Sequence, residues 1–211
     1  MKAAQHAYNT LRASIIDGSY PPGARVTEQE VSAAAGVSRT PVREALQRLE
    51  SEGLLTVTAH QGAVVASWTH SDADDIFELR VMLEGYAARL AAQRASKEDI
   101  VELRQLASAQ SNEAKKHSAG YMERIADLNN KFHERLQQAA ASSRLQAMLA
   151  TLSSAPLVFQ TFRDYTRDDL NRSARHHVEL VDAIESGDGD WAYAVMCAHV
   201  MAARRVFNAK H

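Results

Sequence analysis

Three histidines carry the most distinctive chemistry in this chain. His133, His177 and His199 each fall on the apolar face of a different stretch of helical periodicity: His133 lies between Ile125 and Leu136, His177 shares its face with Leu180, Val181 and Ile184, and His199 shares its face with Val195, Ala202 and Val206. One such residue is ordinarily a satisfied core histidine. Three on separate helices of one bundle, with Asn129 one turn before His133, make a neutral N3O metal site, provided that the helices converge. Imidazole-rich neutral ligands suit zinc, with nickel as second choice, better than magnesium or calcium. His133-Glu134-Arg135-Leu136-Gln137 begins like a zinc-protease motif, but Gln137 stands where the second histidine belongs, so no protease is expected. His176 is expected to point away from the cluster, Cys197 to be a small core residue on another face from His199, and His6, His70, His117 and His211 to lie at the surface.

A second group has the chemistry of nucleic-acid contact. Arg39, Arg43 and Gln47 recur four apart on one helix face, opposite a stripe of Val42, Ala45, Leu46 and Leu49. An isolated pair of such arginines would be a solvated surface, but these sit at the exposed start of the second helix of a helix-turn-helix. Arginine grips guanine O6 and N7 with two hydrogen bonds, whereas a phosphate needs only a donor; one of the pair can specify while the other positions, and the spacing leaves the assignment open. Across residues 1–67, Lys2, Arg12, Arg25, Arg39, Arg43 and Arg48 are cancelled by Asp17, Glu28, Glu30, Glu44, Glu50 and Glu52. Weak non-specific affinity and dimeric binding to two half-sites are therefore expected.

The elements that must position these residues follow from local signals. Tyr8, Leu11 and Ile15 mark an amphipathic helix that stops near Gly18, ahead of Tyr20-Pro21-Pro22-Gly23. Thr27 and Glu30 form a capping box for a short helix through Ala35, Gly36 supplies the turn, and the next helix starts at or just after Ser38, whose hydroxyl is expected to cap it. Thr56-Val57-Thr58 and Ala63-Val64-Val65 flank Ala59-His60-Gln61-Gly62 as a hairpin wing. The pattern is then almost wholly helical: one helix through Ile76, Leu79, Leu83, Ala87 and Leu90, a second capped by Ser96, a third through Ile125, Leu128, Phe132 and Leu136, a fourth from Leu145 to Phe162 broken or kinked at Pro156, and two more to Gly187 and from Trp191 to Phe207. The expected fold is mainly α: a winged helix-turn-helix over 1–67, a connection over 68–72, and an all-α six-helix bundle over 73–211.

The chain has 211 residues, is 45% hydrophobic and carries a net charge of -2, enough for two cores and typical of a soluble globular protein. It lacks a membrane-length apolar run and an N-terminal apolar block, and its one cysteine allows no intrachain disulfide, so a cytoplasmic protein is expected.

The segment PPGARVTEQEVSAAAGVSRTPVREALQRLESEGLL with Gly62 beyond it, together with DIFELRVMLEGYAARLAA, closely resembles the GntR family of bacterial transcription regulators, in its FadR-type subgroup with an FCD effector domain. The resemblance implies operator contacts from Ser38, Arg39, Thr40 and Arg43 on the recognition helix, and from His60, Gln61 and Gly62 at the wing tip. It also implies a metal held by Asn129, His133, His177 and His199, a homodimer, a palindromic double-stranded operator and a small carboxylate effector. Two departures stand out: asparagine at 129, where aspartate is commoner, and Gln29, where many relatives carry an arginine.

Elementary electrostatics points the same way on the effector. Neutral ligands leave a buried +2 charge uncompensated, so an anion is welcome beside it. Arg80 is a candidate second grip on its carboxylate; a salt bridge to Glu84 at i+4 is the alternative, and both stay open. The expected protein is a ligand-responsive regulator, a repressor, with no catalysis. Its rivals are a helical metalloenzyme carrying a DNA-binding domain, disfavoured because Glu134 and Glu179 lie off the apolar faces, and a regulator whose metal is purely structural.

Overall fold

Thr27 opens the helix-turn-helix as its sequence predicts: its hydroxyl accepts from the Glu30 amide at 3.2 Å while the Glu30 carboxylate accepts from the Thr27 amide at 2.9 Å. The computed structural model describes residues 2–16, 18–58, 62–66, 70–116, 120–152, 161–162 and 164–210, with backbone alone at 16, 58, 70–72, 151 and 210. These fall into two compact units, the first running to Ser71 and the second starting at Asp72.

The first unit contains α1 (Lys2–Ile16), β1 (Arg25–Val26), α2 (Glu28–Ala35), α3 (Arg39–Ser51), β2 (Leu55–Thr58) and β3 (Gly62–Val65). Gly36 ends α2 at φ 63, a left-handed conformation suited to glycine, and α3 begins three residues later. Ser38 is the N-cap residue of α3 by position, but its side chain makes no capping bond, so that expectation is corrected. Val42, Ala45, Leu46 and Leu49 are buried against Leu11, Val31 and Leu55, which makes α3 one wall of a small apolar core.

The sheet has the order β1-β3-β2 and is antiparallel throughout. Strand β1 was not anticipated, because two residues are too few to show alternation. Its pairing depends on Gly62: at φ 90, a β-carbon there would stand 3.0 Å from the Val26 carbonyl oxygen. Glycine at 62 thus lets β1 join the wing. Thr58 pairs with Gly62 and closes the hairpin; His60 and Gln61, between them, lie outside the described residues.

The second unit contains α4 (His70–Arg94) from its third residue onward, α5 (Lys97–Lys116), α6 (Tyr121–Ala139), α7 (Ser143–Leu152), α8 (Arg167–Glu185) and α9 (Gly189–Lys210). Ser96 caps α5, accepting from the Asp99 amide at 3.1 Å, and a Thr166–Asp169 capping box opens α8. Of the fourth expected helix, α7 and the helical pair Thr161 and Phe162 are described, while Pro156 lies outside the described residues. Helix α5 packs on α6 and α8, and α8 on α9. Helix α4 lies close against α9: the Phe77 and Phe207 rings are 5.9 Å apart, and a β-carbon on Gly85 would come within 2.8 Å of Cys197 Sγ. Cys197 is accordingly a half-buried packing residue. Among the described residues no helix is long and apolar enough to cross a membrane.

Candidate metal centre and nucleic-acid interface

Helices α6, α8 and α9 bring their apolar-face histidines together. His133, His177 and His199 are buried, and one ring nitrogen from each lies within 4.8 Å of the others. His133 Nε2 is 3.2 Å from His199 Nε2; two nitrogens bound to one tetrahedral zinc would lie about 3.3 Å apart. Phe132 stacks on His177 at 4.0 Å between ring centroids and fixes the plane of that imidazole.

Two side chains that sequence reasoning did not assign to the centre decide which nitrogens face inward. Glu84 on α4 accepts from His133 Nδ1 at 2.6 Å, and Gln110 on α5 accepts from His177 Nδ1. With each Nδ1 proton engaged, the Nε2 lone pair is left for the cluster, as outer partners of metal-bound histidines require. His177 Nε2 and Asn129 Oδ1 are buried with no hydrogen-bond partner, and such groups are costly to leave unsatisfied. A divalent cation fits this donor set. Asp127, by contrast, pairs with Lys131 on an exposed face, as periodicity predicts.

The Arg80–Glu84 alternative is realised: Arg80 Nε donates to Glu84 Oε1 at 2.7 Å, and both residues are buried. Burial alone would raise the Glu84 carboxyl, but Arg80 and His133 outweigh it and hold Glu84 well below the ordinary carboxylate range. The ion pair is internally neutral, so it does not offset a cation held by the histidines. Glu84 is also a carboxylate beside the motif that periodicity, which offered Glu134 and Glu179 alone, did not place there. Both of its oxygens are engaged, which makes it a positioning group for His133 and not a free base. Glu134 and Glu179 are exposed, the latter accepting from Trp191 Nε1 at 3.0 Å.

His176 departs from expectation. Its ring is half-buried and edge-on to His199 at 5.8 Å, because α8 lies close enough to α9 for a neighbouring face to reach the cluster.

Burial pushes His177 and His199 well below the usual histidine value, with neighbouring histidines adding to the effect. In the metal-free protein these rings stay neutral while the unfolded chain protonates them below its ordinary value of 6.5. Their stabilising contribution is therefore present above that pH and lost as pH falls. The expected result is a drop in stability below pH 6.5 with a limiting slope of about 1.4 kcal/mol per pH unit for each ring. Chelator-treated protein melted between pH 7.5 and 5 checks this, and a flat profile would show that the rings protonate in place.

On the first unit, Ser38, Arg39, Thr40, Arg43 and Gln47 are all exposed at the start of α3. Arg43 is held across the turn: its Nε donates to Glu28 Oε1, at the start of α2, over 2.7 Å. That bond, supported by the charges of Arg43 and Arg39, keeps the Glu28 carboxyl below its ordinary value against the opposing effect of burial. Charge counting noted Glu28 only as one cancelling residue.

Comparison with known proteins gives a family match for each unit. Residues 3–65 match the family model described as bacterial regulatory proteins, gntR family, and residues 75–202 match that of the FCD domain. The chain is 34% identical over 181 residues to the Nta operon transcriptional regulator of Aminobacter aminovorans, covering 86% of this chain and 83% of the relative. It is 26% identical over 200 residues to the HTH-type transcriptional repressor RspR of Escherichia coli strain K12, covering 93% and 85%. Among solved structures, E. coli McbR/YncC superposes with a TM-score of 0.79 at 22% identity, covering all of both chains, a likeness of fold.

Proposed function

The chain belongs to the GntR family of bacterial regulatory proteins, carries an FCD domain, and is a DNA-binding transcription regulator and not an enzyme; from that premise we propose that it senses a small organic acid at a buried metal centre. Asn129, His133, His177 and His199 would hold the metal, zinc before nickel. Bound there, the ion would supply positive charge and, by expanding its coordination beyond these four side chains, a position for an effector carboxylate. The observation that carries this reading is the convergence of three buried imidazoles whose outer nitrogens, at His133 and His177, are already committed to Glu84 and Gln110. Glu84 and Gln110 orient the rings, and the apolar packing of α5, α6, α8 and α9 excludes water from them. Arg80, fixed through Nε by Glu84, is the candidate second grip on the carboxylate.

The protein acts in the cytoplasm as a homodimer on a palindromic operator, with Ser38, Arg39, Thr40 and Arg43 from α3 and His60, Gln61 and Gly62 of the wing as its contacts. Repression is the expected sense of control, in keeping with a relative named as a repressor. An effector that prefers one arrangement of the two DNA-binding units shifts operator occupancy, because both half-sites must be met at fixed spacing.

A thermal-shift screen of zinc-loaded protein against small mono- and dicarboxylates and sugar acids tests the proposal. A true effector at a hundred times its Kd contributes about 2.7 kcal/mol, a rise of about 5–10 °C, and this should vanish in His177→Ala. Stabilisation by zinc but by no acid would favour a purely structural metal.

A further inference from the structure

We propose that Glu28 is a specificity-determining residue for DNA: by holding Arg43 across the helix-turn-helix it fixes the arginine's orientation, and by its charge it weakens contact with non-cognate phosphates. The inference rests on the assignment of α3 as the recognition helix.

The geometry is particular. Glu28 is the first residue of α2 and Arg43 lies in the second turn of α3, so the 2.7 Å contact ties together the two helices that flank Gly36. Arg43 donates to Glu28 through Nε, which fixes the plane of the guanidinium and leaves the edge between its two terminal nitrogens to meet another partner. Exposure of the two side chains is 64% and 29%, so the pair is screened by solvent and adds little to stability. A contact of low structural value on a DNA-facing arginine acts on binding instead.

Its effect on binding has two parts with opposite consequences for cognate and random DNA. On random DNA, affinity comes from phosphate neutralisation alone, and a carboxylate paired with Arg43 removes one net positive charge from the surface. The first unit has no excess of basic charge to offset that loss, and Gln29 beside Glu28 adds none. On a matched site, an arginine already held in plane loses less freedom on binding, so the lost charge is offset by orientation.

Glu28→Gln therefore raises affinity for random DNA and narrows the gap to matched DNA. One more phosphate neutralised in each half-site steepens the salt slope of the dimer by about 1.8 and raises random-sequence affinity about 60-fold at 0.1 M salt. Affinity for the matched site should stay within about threefold, so the specificity ratio falls by more than about an order of magnitude.

The probes are a 30-base-pair duplex enriched from a random pool by the wild-type protein and a scrambled duplex of the same composition, each titrated across salt with wild type, Glu28→Gln and Arg43→Ala. The melting temperature of Glu28→Gln should match wild type. Equal change of both affinities, or an unchanged salt slope on the scrambled duplex, would overturn the role of Glu28. Loss of enriched-duplex binding in Arg43→Ala with an unchanged specificity ratio in Glu28→Gln rejects the inference while keeping the recognition helix. Wild-type binding by Arg43→Ala rejects both.

Discussion

Replacing Arg43 by alanine is expected to remove operator binding while leaving the fold intact. The side chain is exposed and, among the described residues, reaches Glu28 alone, so truncation opens no cavity and uncovers no buried group. On DNA the expected loss is large because the proposed dimer would present the residue twice. At about 1–3 kcal/mol for each arginine contact, two half-sites lose about 2–6 kcal/mol, a weakening of at least thirtyfold. Fluorescence anisotropy with an operator duplex, beside a melting curve of the same sample, separates the two quantities. Retained affinity would move the DNA contact away from α3. Arg39→Ala provides a contrast: an arginine that only neutralises phosphate should weaken all sequences alike and lower the salt slope by about 1 for each half-site.

Removal of His177 should have the second large effect, on metal affinity. Metal binding to a full four-ligand site is worth about 10–16 kcal/mol, so one ligand accounts for about 3 kcal/mol and its loss weakens binding more than a hundredfold. His177→Gln keeps more of the volume under Phe132 and is the better variant where the alanine form melts early. Gln110→Ala leaves all ligands in place but frees His177 Nδ1, and should cost about 10–100-fold. Competition against a chromophoric chelator measures both. Equal affinity in wild type and the His177 variants would return the cluster to the status of core histidines.

The graded outcome matters because Gln110 and Glu84 act through the imidazoles. A neutral amide backs His177 and a carboxylate, itself neutralised by Arg80, backs His133. Arg80 is joined to the centre through Glu84, so a carboxylate that engages Arg80 would act on the same side chain that orients His133.

Much of this molecule was legible in the order of its residues, for reasons that are local. A helix repeats every 3.6 residues, so the faces of His133, His177 and His199, the buried stripe of α3 and the exposure of Arg39 and Arg43 follow from spacing alone. Capping is decided within four residues, which is why Thr27 and Ser96 announced their helices; the hydroxyl of Ser38 was the exception, since a cap also depends on how the preceding turn aims it.

What only the tertiary structure decided is every relation between elements. Periodicity states which face a residue occupies, and it is silent on which helix that face meets, at what depth and with what rotation. Glu84 appeared in the sequence as an i+4 neighbour of Arg80 and became a partner of His133 only when α4 met α6. Gln110 sat unremarked on an apolar face until α5 lay against α8, and His176 reached His199 because α8 and α9 pack closely. Glu28 entered as one charge among many, and the turn at Gly36 brought it onto Arg43. Strand β1 likewise exists because the Gly62 backbone permits the close approach of Val26. The three histidine faces were written in the sequence because a helix repeats; their partners were not, because packing couples residues far apart in the chain.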